Sequence, residues 1–175
     1  MSTLATLQAL VFAAVARDDA PTTLLATAAL NYGTVLAALA FEPPELTDSE
    51  SVQVAGNSDN VSISGITSLL DLRTVYNSTD ARNMWFIPWE FWHILLPASI
   101  GSTRYYSLFG QTLYVKDTPG ANKNLLIYFT TYPTPMVNPG DAVGFDHHDS
   151  YIVSVATGLI WAFFEEAESA GTLQK

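Results

Sequence analysis

Asp146-His147-His148-Asp149 is the densest group of chemically capable side chains in the sequence. Two imidazoles and two carboxylates are donors that a divalent cation accepts, so a metal-dependent enzyme using His147 and His148 is one reading. Neighbouring residues at a helix start point in different directions, however, and a site then needs ligands from another segment. The remaining histidine, His93, lies between Trp92 and Ile94. Glu90 and His93, three residues apart, share a helix face and have the types of an acid–base pair, although the aromatic flanks favour a packed histidine. No serine sits in a nucleophile-elbow pattern, and no glycine run matches a phosphate loop or dinucleotide fingerprint. The expectation is a chain with no catalytic residue, no metal site and no cofactor, in which Asp149 or Ser150 caps a helix.

Two further groups suit binding. Trp85, Phe86, Trp89 and Trp92 occur within Met84-Trp85-Phe86-Ile87-Pro88-Trp89-Glu90-Phe91-Trp92, and an exposed platform of such rings would take a sugar or peptide. A core in which this aromatic cluster staples a short helix to a sheet is the favoured reading. Glu165, Glu166 and Glu168 crowd the end of a long apolar pattern, where a helix dipole disfavours negative charge. Either water solvates them or a cationic partner meets them. Glu165, Glu166, Glu168, Trp89 and Trp92 are therefore the candidate interface residues.

The elements that must position these groups follow from periodicity. Leu4, Leu7, Val11 and Val15 recur at helical spacing, and Asp18-Asp19-Ala20-Pro21 ends that pattern. A second stripe of Leu24, Leu25, Ala28, Tyr32, Val35, Leu36 and Leu39 predicts a longer helix with Pro21 in its first turn, antiparallel to the first. Pro43 and Pro44 break it, and the acidic stretch to Glu50 reads as a solvated loop. Val52 and Val54 alternate, as do Val61 and Ile63, across a Gly-Asn-Ser-Asp-Asn turn, predicting a hairpin. Strands are expected from about Leu69 to Tyr76 and through Trp85 and Ile87, with a short helix opened by Pro88 and closed by Pro97. Residues 101–136 then read as a three-stranded antiparallel meander, turning at Gly110-Gln111 and again at Asp117–Asn124. A final helix carries Ile152, Val155, Ala156, Leu159, Ile160, Phe163 and Phe164, with Gly171 past its end.

Composition narrows the function. The chain has 175 residues, 49% of them hydrophobic and only 14% charged, which predicts one domain with apolar surface left over for an oligomer. Seven Lys+Arg against 17 Asp+Glu give a net charge of -10, so phosphate neutralisation is disfavoured. An acidic surface still suits a conduit past which DNA slides. Without cysteine, stability rests on packing and assembly. The sequons at Asn60 and Asn77 are read as chance. The apolar start lacks Lys or Arg before Arg17, unlike a signal peptide, and is too short to span a membrane. No membrane association is expected.

The order of these elements resembles the head-to-tail connector, or adaptor, family of tailed bacteriophages, from about Leu4 to Glu168. The resemblance rests on paired helices, a segment like Leu69–Pro97, a Gly-x-x-x-Tyr-Tyr strand from Gly101, a Pro-ended third strand and an Asp-x-x-x-Ile/Val helix. It departs from the pattern in an unusually apolar first helix and in Thr103-Arg104 where a Pro usually precedes the double Tyr. What the resemblance implies is a virion protein, made in the host cytoplasm and placed at the head–tail interface. It would form a ring, commonly of twelve copies, between the portal and a tail tube, nozzle or other neck protein, with DNA passing through unread. The fold implied by the residues is α+β: an N-terminal helix pair packed with a C-terminal helix (about 3–41 and 145–170) and an antiparallel β layer (about 51–136).

Overall fold

In the computed structural model, which describes residues 2–16, 20–94 and 101–169, helix α1 (Leu4–Val15) starts at Thr3, whose side chain accepts from the Thr6 N–H. Two more N–H groups of its first turn are met by main-chain carbonyls: Leu4 donates to Asp141 (2.7 Å) and Ala5 to Pro139 (3.1 Å), so none of these orphan donors is buried unpaired. Leu4, Leu7, Val11 and Val15 are all buried, as their spacing predicts. The chain then forms α2 (Ala20–Phe41), a 3-10 turn (Pro44–Leu46), β1 (Thr47–Val54), β2 (Asn60–Ser62), β3 (Leu69–Asn77), β4 (Arg82–Asn83), β5 (Trp85–Phe86), α3 (Trp89–Trp92), β6 (Tyr105–Phe109), β7 (Thr112–Lys116), β8 (Lys123–Thr131) and α4 (Asp149–Ser169). The fold is α+β, and it resolves into two compact units: Met1–Leu46 with Tyr132–Lys175, and Thr47–Thr131.

The helical unit packs α1, α2 and α4 together, with α2 against α4 as its main contact. Here α2 departs from its predicted stripe. Its buried positions are Thr22, Ala26, Ala29, Leu30, Thr34, Ala37 and Ala38, while Leu24, Tyr32, Leu39 and Phe41 are exposed. The reason is close approach. A Cβ placed on Gly33 would lie 3.0 Å from the main-chain oxygen of Ile152, so a large side chain has no room at that point of the contact. On α4 the inward row is Ile152, Ala156, Ile160 and Phe164, one residue per turn, narrower than the predicted face, of which Leu159 and Phe163 are exposed; Trp161 is exposed too. Residues 132–136, expected in the β part, belong to the helical unit. Asn31 explains this: its amide donates to Met136 O (3.0 Å) and accepts from Met136 N (2.8 Å), fixing a buried Met136.

The β unit holds two four-stranded sheets, ordered β1-β8-β3-β4 and β2-β7-β6-β5. Residues from both sheets form one core, including Val54, Val75, Leu125, Ile127 and Phe129 from the first and Tyr106, Leu113 and Val115 from the second. The hairpin β6–β7 turns at Gly110, whose φ of 58° suits the first central position of a two-residue hairpin loop. The predicted meander ends there. Instead of returning beside β7, β8 crosses to the other sheet and lies between β1 and β3. Residues 117–122 make that crossing and are pinned by the first loop: Asn57 N donates to Pro119 O (2.7 Å) and Gly56 N to Asn122 Oδ1 (2.9 Å). The predicted β1–β2 hairpin is likewise absent, since β1 pairs with β8 and β2 with β7. The β layer also contains one parallel pair, β5 with β6. The acidic stretch read as a loop is strand from Thr47 onward; β1 is an edge strand, and its exposed Asp48 and Glu50 are the charges that discourage edge-to-edge pairing.

Candidate functional site

The histidine pair lies at the start of α4, where Ile152 N donates to His148 O (3.1 Å). The cap is thus His148, one residue before the predicted Asp149 or Ser150, and Asp149 is the first helical residue, its Oδ2 accepting from Ser2 Oγ. His147 is exposed in a left-handed conformation (φ 71°). His148 stacks on Phe41 with ring centroids 4.2 Å apart and planes 5° from parallel. The two imidazoles therefore do different jobs, one in water and one holding the end of α2 to the start of α4. Among the described residues, no three of His, Asp and Glu gather where they would hold a metal ion. Glu90 and His93 are both exposed, and His93 packs edge-on against Trp89 (5.3 Å) with no hydrogen bond to Glu90 among the described residues.

The tryptophans separate into two environments. Trp92 is 5% exposed; Lys116 Nζ lies 5.1 Å from its ring centroid and donates to its carbonyl. Trp89 packs on Phe109 (4.8 Å) and Tyr114 (4.7 Å). These contacts staple α3 to β6 and β7, the role favoured for the pair from sequence. Trp85 stands apart at 71% exposed on β5, which is the edge of its sheet, with exposed Phe86 beside it. The structure thus does not bring Trp85, Trp89 and Trp92 onto one platform.

A cleft that sequence reasoning missed opens beside Trp85. It has a volume of about 430 Å³ and is lined by Arg82, Asn83, Trp85, Arg104 and Tyr105. Its floor is built by a polar turn. Asp80 Oδ1 pairs with Lys123 Nζ (2.6 Å), while its Oδ2 accepts from Ser102 Oγ (2.8 Å) and Asn77 Nδ2 (3.1 Å). The Lys123 hydrogen bond, helped by Ser102 and Asn77, holds the Asp80 carboxyl below the usual carboxylate range. Ala81, at a left-handed φ of 52°, reverses the chain into β4. Parallel pairing of Trp85 with Tyr105, with Trp85 N donating to Arg104 O (2.8 Å), sets Arg104 beside β5.

The charge of this cleft is opposite to that of the chain. Asp80 and Lys123 offset one another, which leaves the guanidiniums of Arg82 and Arg104. Both residues are exposed. Among the described cations Lys123 is paired with Asp80, Lys116 with Trp92, and Arg73 Nε with Thr130 Oγ1; the two cleft guanidiniums have no such partner. The signal in the sequence was small: Arg104 interrupts a Tyr-rich strand start, and Arg82 lies in a polar turn that nothing local ties to it.

Of the three acidic candidates, Glu165 and Glu166 are exposed near the end of α4, and no basic residue occupies its last turn. The side chain of Glu168 lies outside the described residues, as do Pro97 and Gly171. No family model matches the chain, and no curated protein matches it.

Proposed function

We propose that this chain is a structural subunit of an oligomeric ring in the neck of a tailed bacteriophage, where it joins the portal at the capsid vertex to the tail and lines the passage for DNA. The observation that carries the reading is the outward face of the helical unit. Leu24 is 76% exposed, and Leu10, Tyr32, Leu39, Phe41, Trp161 and Phe163 are exposed on the same unit. Isolated exposed apolar side chains are ordinary, but this many on three helices mark a surface that assembly covers. The acidic balance keeps such a ring from gripping the DNA that passes through it. The resemblance in element order supplies the particular assembly.

The test is the mass of the purified protein in solution, alone and mixed with the portal protein of the same virus. A ring-sized species in either condition supports the reading; a monomer in both removes it. One observation favours a second reading, association with a lipid bilayer: Thr22–Phe41 is long and apolar enough by length and composition to cross one, and only 39% of that window is buried. Flotation with liposomes separates the two, because a ring subunit stays at the bottom of the gradient.

A further inference from the structure

The cleft between Arg82 and Arg104 and the acidic end of α4 are complementary in two respects at once. One carries two unpaired guanidiniums beside exposed Trp85 and half-buried Tyr105. The other carries exposed Glu165 and Glu166 just after exposed Trp161 and Phe163. We propose that the Arg82–Arg104 cleft of one copy receives the Trp161–Glu166 end of α4 from a second copy. The inference rests on the self-assembly proposed above and names one contact within it.

Charge decides why the occupant is a second copy. With a net charge of -10, two copies repel wherever acidic faces meet, so a stable contact must use the scarce cations. The two described cations without an internal partner are side by side in this cleft. The acids they would meet are exposed near the negative end of a helix dipole, and an external guanidinium offsets that placement. Arginine suits the task because its planar fork takes a carboxylate through two hydrogen bonds and stacks on aromatic rings. Cleft and helix end are different surfaces, so the contact is heterologous, the kind that closes into a ring when the rotation between copies permits.

Charge reversal in the full chain tests this. One variant combines Arg82→Glu with Arg104→Glu; the other combines Glu165→Arg with Glu166→Arg. Association is measured by light scattering and analytical ultracentrifugation, in whichever condition the wild type assembles. Each variant alone is expected to associate at least about tenfold more weakly than the wild type, while a mixture of the two, and the chain carrying all four changes, recovers association. The second variant is the sharper one. It reduces the net negative charge, so general repulsion alone predicts stronger association, whereas the specific contact predicts weaker. Variants that assemble like the wild type, or a mixture that fails to recover, overturn this contact and leave the ring reading standing. A wild type that stays monomeric alone and with the portal overturns both. Circular dichroism of each variant establishes that the fold is retained before association is read.

Discussion

Helix α2 of the helical unit and strand β8 of the β unit bury different kinds of side chain. In the β unit, large apolar residues such as Leu125, Ile127 and Phe129 face inward from β8 and fill one core between two sheets. In the helical unit, α2 buries alanines, threonines, Gly33 and Leu30 and leaves Leu24, Tyr32, Leu39 and Phe41 exposed, while α1 and α4 supply larger buried residues such as Leu7, Val11, Ile152 and Ile160. Close backbone approach at Gly33 leaves little room for a large side chain on that part of α2. The β unit leaves Trp85, Phe86, Phe91, Ile94 and Phe109 exposed around its core. The helical unit keeps apolar surface for something else to cover.

Breaking each unit by the opposite means sharpens that comparison. Removing volume should hurt the β unit most: Phe129→Ala is expected to cost about 3–5 kcal/mol through the cavity it leaves, read as a shift in the midpoint of urea unfolding. Adding volume should hurt the helical unit. Gly33→Leu places a side chain where even a Cβ meets Ile152 O at 3.0 Å, and a loss of about 1–3 kcal/mol is expected in the same experiment. Gly33→Ala sharpens the point further, because a gain of up to about 1 kcal/mol in helix propensity opposes the tight contact and leaves a smaller net change.

Each unit also holds a carboxylate with a lowered pKa, and acid should weaken both. In the β unit the cause is chiefly Lys123 at Asp80. In the helical unit it is the main-chain N–H groups of Asn138 and Val137, which donate to Asp141 (2.7 and 2.8 Å). A depressed folded-state pKa adds stability above the unfolded value of about 3.9, and that stability is lost as pH falls through the folded value. Melting temperature followed from neutral pH down through the carboxylate range should therefore fall, and Asp80→Asn and Asp141→Asn should each lower it at neutral pH while flattening the acid limb. The smallest effect on folding is expected on the outward face of α2: Leu24→Ser with Leu39→Ser should change unfolding free energy by no more than about 0.5 kcal/mol per site, while reducing assembly measured by light scattering. A large loss of folding stability there would mean that the face is already covered within one copy.

How much of this was legible depended on how unevenly apolar residues are spread. Helix α1 has large apolar residues at one helical spacing, and those four positions are the buried ones. Helix α2 is apolar nearly all round, so periodicity located the helix but could not choose its inward face. The strands β6, β7 and β8 were visible as alternating runs, yet period-two patterning says which residues share a face and nothing about which strand lies alongside. That is why the three-stranded meander and the first hairpin both failed, and why the acidic first half of β1, exposed at every position from Thr47 to Glu50, passed for a loop. Among the candidate site residues, the packing of Trp89 and Trp92 was foreseen. The isolation of Trp85, the stacking of His148 on Phe41 and the Arg82–Arg104 cleft were not.

By itself the sequence determined the α+β class, the helix and strand content, the acidic surface and the surplus of apolar residues, because each is a property of composition or of spacing within one segment. Tertiary structure alone decided which side of α2 faces α4, which sheet receives β8, and that Arg82 and Arg104 share a cleft. Each of these depends on contacts between segments far apart in the chain, where a close approach at Gly33 or a crossing pinned at Gly56 and Asn57 outweighs any local preference.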